Sequence, residues 1–158
     1  MMRSYLQILQ DSLLQKLDIL DRIKMKSLEQ SAMFKSKDIS LQAIDENMEE
    51  KGRLIAELES LDNGFESLYE KIRTELIPHK DEYKEEIRQI QKLITQVTEK
   101  SASIQAIEAR NKAETELVFS REKKGLQSKR TAMSITNDYY QNMNKVKNVS
   151  PQFLDRKK

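Results

Sequence analysis

The chain has 158 residues, of which 37% are hydrophobic and 34% are charged, with three glycines and two prolines. This composition is typical of long helices that bury a narrow apolar stripe, and it disfavours a compact α/β fold. The lack of cysteine excludes disulfides and thiolate metal sites. No run approaches the roughly eighteen apolar residues of a membrane span, and the N-terminus shows no secretory signal. We therefore expect a cytoplasmic protein with no stable membrane insertion.

The net charge of +2 is unevenly distributed along the chain. Residues 1–118 carry 18 Lys and Arg against 23 Asp and Glu, a balance of −5, whereas residues 119–158 carry 10 against 3, a balance of +7. A basic C-terminal third joined to an acidic body is compatible with binding to nucleic acid, to a membrane surface or to an acidic protein.

The first predicted helix covers residues 4–34. Ser4 and Gln7 can form a capping box at its start. Its apolar residues follow helical spacing, and three more widen the stripe enough to contact two neighbouring helices. These three are Ile8, Leu14 and Ile19. The short polar segment Lys35-Ser36-Lys37 then favours an antiparallel return.

The second predicted helix covers residues 38–77, with Asp38 as its N-cap. Lys51 falls on the apolar seam, where we expect its stem to cover apolar surface while its ammonium group reaches water. Asp62-Asn63-Gly64 is predicted to interrupt this helix, with a new helical piece from Phe65; a kink and a true turn both remain open. Pro78 ends the piece, because proline disfavours helix at the residue before it.

A third helix is predicted over residues 79–147, which would make it about 100 Å long. Its first half has apolar residues at steps of three and four, which is typical of a coiled coil. The seam includes Tyr83, Ile87, Ile90, Ile94, Val97, Ser101, Ile104 and Ile107. The pattern fades over residues 108–113 and then resumes more loosely. The first two helices, about 46 and 60 Å long, are too short to cover it.

These lengths predict an all-α, elongated, antiparallel three-helix coiled-coil bundle with a long C-terminal helix extending as an arm. We place the bundle in residues 1–112, a partner-binding part of the long helix in 113–147 and a flexible tail in 148–158. The arm carries an apolar strip that suits helix-in-groove recognition of another protein. Its candidate binding residues are Leu117, Val118, Leu126, Met133, Ile135, Tyr139, Tyr140 and Met143. The basic flank that could orient an acidic partner consists of Lys123, Lys124 and Arg130.

Catalysis is not expected from this sequence. The chain has a single histidine, no cysteine and no glycine-rich phosphate-binding loop. His79 lies near Asp81 and Glu82 next to a proline, where such residues act as exposed helix-capping groups rather than as metal ligands. We therefore expect no catalytic residue, no metal and no cofactor.

The motifs of the second and third helices resemble those of a known family. The skeleton Asp38, Leu41, Ile44, Lys51, Leu54, Ile55, Leu58 and Leu61 looks like the pattern of FlgN-type flagellar export chaperones. The stretch Leu61-Asp62-Asn63-Gly64-Phe65-Glu66, with Tyr69, is similar to the version in Gram-positive, clostridial-type members. Glu108-Ala109-Arg110-Asn111-Lys112 resembles a turn of their third helix. Two C-terminal stretches, Tyr139 to Lys145 and Pro151 to Asp155, resemble their usual ending.

The resemblance spans nearly the whole chain and implies a cytoplasmic, non-enzymatic helical protein. Proteins of that family bind the C-terminal helices of hook-associated proteins at the hook-filament junction. They prevent premature assembly of these clients and deliver them to the flagellar type III export apparatus. The family's client-binding region lies in its C-terminal helical part, which corresponds to the arm.

Two other classes of protein remain open. A structural or scaffold coiled-coil protein is the main alternative, and it predicts a seam uninterrupted to the end of the chain. Weak nucleic-acid binding by Arg121, Lys123, Lys124, Lys129 and Arg130 is a third choice, although acidic and polar residues are mixed among them. We expect no nucleic acid as partner. The identity of the client and the choice between monomer and homodimer stay open.

Overall fold

The computed structural model describes residues 1–121, which form three α-helices. Helix α1 is Met2–Phe34, α2 is Leu41–Leu76 and α3 is Lys84–Arg121, with one turn of 3-10 helix, Ile77–His79, after α2. Residues 1–121 contain no strand. The predicted helical bundle is therefore confirmed, while its coiled-coil geometry stays a prediction. The arm beyond Arg121 and the tail 148–158 lie outside the described residues.

The three helices run up, down and up. The antiparallel pairing of α1 with α2 is marked by ion pairs between Lys16 and Asp62 and between Lys26 and Glu50. Helix α3 then lies parallel to α1, since Arg3 contacts Glu86 at one end and Ser31 contacts Asn111 near the other. An odd number of helices joined by short connections leaves the first and last helices pointing the same way.

Two predicted helix starts are wrong. Helix α1 begins at Met2 without a side-chain cap, so Ser4 already lies in its first turn and Gln7 donates instead to Asp11 at 2.9 Å. The N-cap of α2 is Ser40 rather than Asp38, because the extended backbone of Ser40 lets its hydroxyl accept from the Ala43 amide at 3.1 Å. Serine and aspartate cap equally well, so the sequence leaves the choice to backbone geometry.

Helix α2 continues through residues 62–64, and the predicted interruption is wrong. The Asp62 carboxylate pairs with the Lys16 ammonium of α1, while Leu61 and Phe65 pack against the core on either side. These tertiary contacts outweigh the weak helix propensity of Asn63 and Gly64. Helix α2 instead ends at Leu76, just before Pro78, and α3 begins at Lys84 rather than at residue 79.

The apolar core consists of two clusters. The main cluster joins all three helices and contains, among others, Leu6, Leu9, Leu20, Ile23, Ile55, Leu58, Ile72, Leu76, Ile90 and Ile104. The second, smaller cluster contains Ile44, Met48 and Phe119. The side chains packed against it are Met33 and Phe34 at the end of α1, Leu41 at the start of α2, and Val118. This cluster lies at the end of the bundle where α1 meets α2. Buried polar residues separate the two clusters, namely Ser27 and Gln30 on α1, Lys51 on α2, and Asn111 and Thr115 on α3.

Candidate functional site

The polar layer between the clusters is centred on Lys51. Its side chain is 2% exposed, and its ammonium group donates to the Gln30 side-chain oxygen and to both carboxylate oxygens of Glu108, the latter at 2.8 and 3.2 Å. The expectation that this ammonium group reaches water is wrong. Glu108, on α3 and 10% exposed, supplies a partner that spacing within α2 could not indicate.

Burial and pairing act on Lys51 in opposite directions. Burial lowers the pKa of the Lys51 ammonium group below its ordinary value, because removing a charge from water disfavours the charged form. The charge of Glu108 and its hydrogen bond raise the same pKa, but burial dominates. The Ser27 hydroxyl donates to the same Glu108 carboxylate at 2.5 Å, so α1, α2 and α3 all contribute to this contact.

A second set of hydrogen bonds joins α1 to α3 beside Lys51. The Gln30 amide donates to the Thr115 hydroxyl at 2.9 Å. The Ser31 hydroxyl donates to the Asn111 side-chain oxygen at 2.7 Å, and the Asn111 amide donates to the Ser27 backbone carbonyl at 2.8 Å. The layer thus pairs polar groups that would destabilise the fold if they were buried alone.

Helix α3 packs beyond the segment where its apolar pattern fades. Glu108, Asn111, Thr115 and Phe119 recur at steps of three and four, and the last three are buried. Polar residues therefore continue the inward-facing seam of α3 toward its C-terminal end. The packing of α3 extends past residue 112, where the sequence places the end of the bundle. Phe119 was missed as a core residue, although its position four residues after Thr115 could have indicated it.

Two of the predicted binding residues lie in the described part of the chain, and they have different surroundings. Leu117 is 54% exposed, whereas Val118 is half-buried against the second cluster. The remaining candidates lie outside the described residues. These are Leu126, Met133, Ile135, Tyr139, Tyr140 and Met143, together with the basic flank Lys123, Lys124 and Arg130.

The residues considered for metal binding lie at the surface. The His79 Nδ1 atom is 3.6 Å from a Glu82 carboxylate oxygen, and both side chains are exposed. Within residues 1–121, no three or more His, Asp or Glu side chains are grouped as a metal site would need. Over the same residues, no helix is both long and apolar enough to span a bilayer.

The residues that carry the family resemblance have structural roles in the bundle. Ile55 and Leu58 belong to the main cluster, while Lys51, Glu108 and Asn111 form the polar layer. Comparison of the chain with protein-family models, curated proteins and solved structures gives no match. The resemblance to FlgN-type chaperones therefore rests on the sequence motifs alone.

Proposed function

We propose that this protein is a cytoplasmic, non-enzymatic flagellar export chaperone that binds the C-terminal helices of hook-associated proteins. In this role it keeps them from assembling early and delivers them to the type III export apparatus. The proposal is supported by the sequence motifs and by the helical bundle. The observation that carries it is the exposure of Leu117 on α3, between the buried residues Thr115 and Phe119.

In the proposed mechanism, the bundle acts as a platform for the C-terminal part of the chain. The polar layer and Phe119 hold α3 against α1 and α2. Leu117 points out of this packing and is the first residue of the apolar strip that the sequence continues to Met143. Such a strip can pair with the apolar face of an amphipathic client helix. Methionine and tyrosine suit this task, because thioethers repack around different partners and tyrosines offer large contact area with few rotatable bonds.

The proposal predicts that Tyr140→Ala combined with Met143→Ala weakens client binding. We expect a loss of tenfold or more, about 1.4 kcal/mol, in calorimetric titration of the full chain with a C-terminal helical fragment of a hook-associated protein. The thermal melt should not change. The matched control is Met25→Ala combined with Leu28→Ala, since both side chains are exposed on α1. Equal losses in the two double variants would contradict a binding surface in the C-terminal part.

A truncation after Arg121 separates this proposal from its alternatives. The cut is placed there because Thr115 and Phe119 are packed in the bundle. The shortened chain should keep its circular dichroism spectrum and lose client binding. Full affinity in a folded truncated chain would favour the scaffold coiled coil, which light scattering would detect as concentration-dependent assembly. Nucleic-acid binding that survives physiological salt would favour the third class, because contacts with phosphates weaken steeply as salt rises.

A further inference from the structure

A shallow groove of about 600 Å³ lies between α1 and α2. Leu14 and Ile19 of α1 and Leu61 of α2 form its apolar part, and Asp18, Arg22 and Glu57 contribute charges. Leu14 is 52% exposed although it is a large apolar residue. The groove therefore presents apolar surface that the bundle itself does not cover.

The charges of the three helices differ sharply. Helix α2 has ten Asp and Glu against four Lys and Arg, a balance of −6, whereas α1 has five basic against four acidic residues and α3 seven against six. One of the four basic residues of α2 is the buried, paired Lys51, so the surface of α2 is strongly acidic. Residues 122–158 carry nine Lys and Arg against three Asp and Glu, a balance of +6. The attraction between these opposite charges favours contact of residues 122–158 with the side of the bundle that α2 forms.

The chain has the length to reach this groove. Because α3 is parallel to α1, Arg121 lies at the end of the bundle that holds Phe34, about 30 Å from Leu14 at 1.5 Å per residue. The 37 residues 122–158 would span about 55 Å even as one helix. Their apolar side chains recur at helical spacing in two rows. One row is Leu126, Met133 and Tyr140, and the other is Ile135, Tyr139 and Met143.

We propose that residues 122–158 dock in the groove between α1 and α2 when no partner is bound. Apolar residues from Met133 onward cover Leu14 and Leu61, and the lysines and arginines of the segment face the acidic surface of α2. A partner that uses the same apolar rows has to displace the docked segment. The apparent affinity of the protein for that partner is therefore the intrinsic affinity multiplied by the fraction of molecules in which the segment is undocked. The docking depends only on groups within this chain, so it stands whether or not the partner is a flagellar protein.

Paramagnetic relaxation in the full chain tests the docking. The protein has no cysteine, so Gln15→Cys places a single nitroxide label on α1 beside the groove. Gln96→Cys is the matched control, because Gln96 is exposed on α3, which does not line the groove. We expect the label at residue 15 to broaden the amide signals of residues 133–143, which have enough chain after Arg121 to reach the groove, and the label at residue 96 to leave them sharp. Added salt should reduce the broadening, since the attraction between exposed charges is screened.

A second pair of variants tests the apolar part of the contact. Leu14→Gln should reduce the broadening from the label at residue 15 by at least half. Leu28→Gln should not, since Leu28 is similarly exposed on α1, at 46%, and does not line the groove. Equal broadening from both labels would overturn the proposal. So would broadening that appears only between labelled and unlabelled copies in a mixed sample, because the occupant would then be a second molecule.

Discussion

Replacing Lys51 by methionine should remove the ammonium group while keeping an unbranched side chain in the same space. The variant leaves the Glu108 carboxylate, which is 10% exposed, with the Ser27 hydroxyl as its donor in the described part of the chain. Breaking a buried ion pair costs about 3–5 kcal/mol. Glu108 keeps one hydrogen bond and some solvent contact, so we expect a loss near the lower limit, about 3 kcal/mol.

The double variant separates the ion pair from simple packing. Lys51→Met combined with Glu108→Met removes both charges, and such replacements by apolar residues are often close to neutral. We therefore expect it to be more stable than either single variant, with a coupling free energy of at least about 3 kcal/mol, because Glu108→Met alone also leaves a buried charge unpaired. Urea unfolding followed by circular dichroism at fixed salt measures all four proteins. A loss below about 0.5 kcal/mol for Lys51→Met, the range of ordinary surface changes, would refute the buried position of its ammonium group.

The free energy of unfolding of Lys51→Met should also differ from that of the original protein in its dependence on pH. Since burial lowers the pKa of Lys51 in the folded protein, the unfolded chain holds this proton more tightly at alkaline pH below 10.5. The free energy of unfolding should therefore gain a positive contribution from Lys51 as pH rises toward 10.5, where the unfolded chain also releases the proton. Lys51→Met should lack this contribution. An identical alkaline slope in both proteins would show that burial does not dominate the pKa.

Two further substitutions should stabilise the bundle. Gly64→Ala should add about 0.5–1 kcal/mol in urea unfolding, because a Cβ atom there meets no atom within 4 Å and alanine favours helix; destabilisation would instead indicate a break in α2. Ser101→Ala should add about 1 kcal/mol, because the buried Ser101 hydroxyl has no hydrogen-bond partner among residues 1–121. Ser103→Ala, on the exposed side of α3, is the control for helix propensity, and an equal gain there would contradict a penalty at Ser101.

Apolar periodicity was sufficient to predict the helices and most of their buried faces. Ile87, Ile90, Ile94 and Val97 recur at steps of three and four, and all four are buried. The polar layer could not be predicted in this way. Lys51 and Glu108 are 57 residues apart, and within its own helix each resembles an exposed charged residue. Only the packing of α2 and α3 against α1 brings them together.

The local errors have a related cause. Asp38 and Ser40 are both good caps, and Asn63-Gly64 is a common turn, so short-range preference alone selects the wrong structure at these positions. The pairing of Asp62 with Lys16 involves residues 46 apart and outweighs that preference. For the candidate site, the sequence identified Leu117 as exposed apolar surface. It did not indicate that Val118 packs against the second cluster, because the preceding polar residues hid the continuation of the seam.

The polar layer also bears on which alignment of the helices the chain can adopt. A seam of isoleucines and valines repeating every three or four residues is nearly unchanged when α3 slides by seven residues, about 10 Å, along its neighbours. After such a slip, however, Lys51 would face the position of Ser101 or Thr115 in place of Glu108. Asn111 would also lose both of its hydrogen bonds to α1. Each slipped arrangement thus leaves a charge and an amide unpaired in the interior. The polar residues therefore exclude the shifted alignments of α3, which the apolar seam alone would tolerate almost as well as the native one.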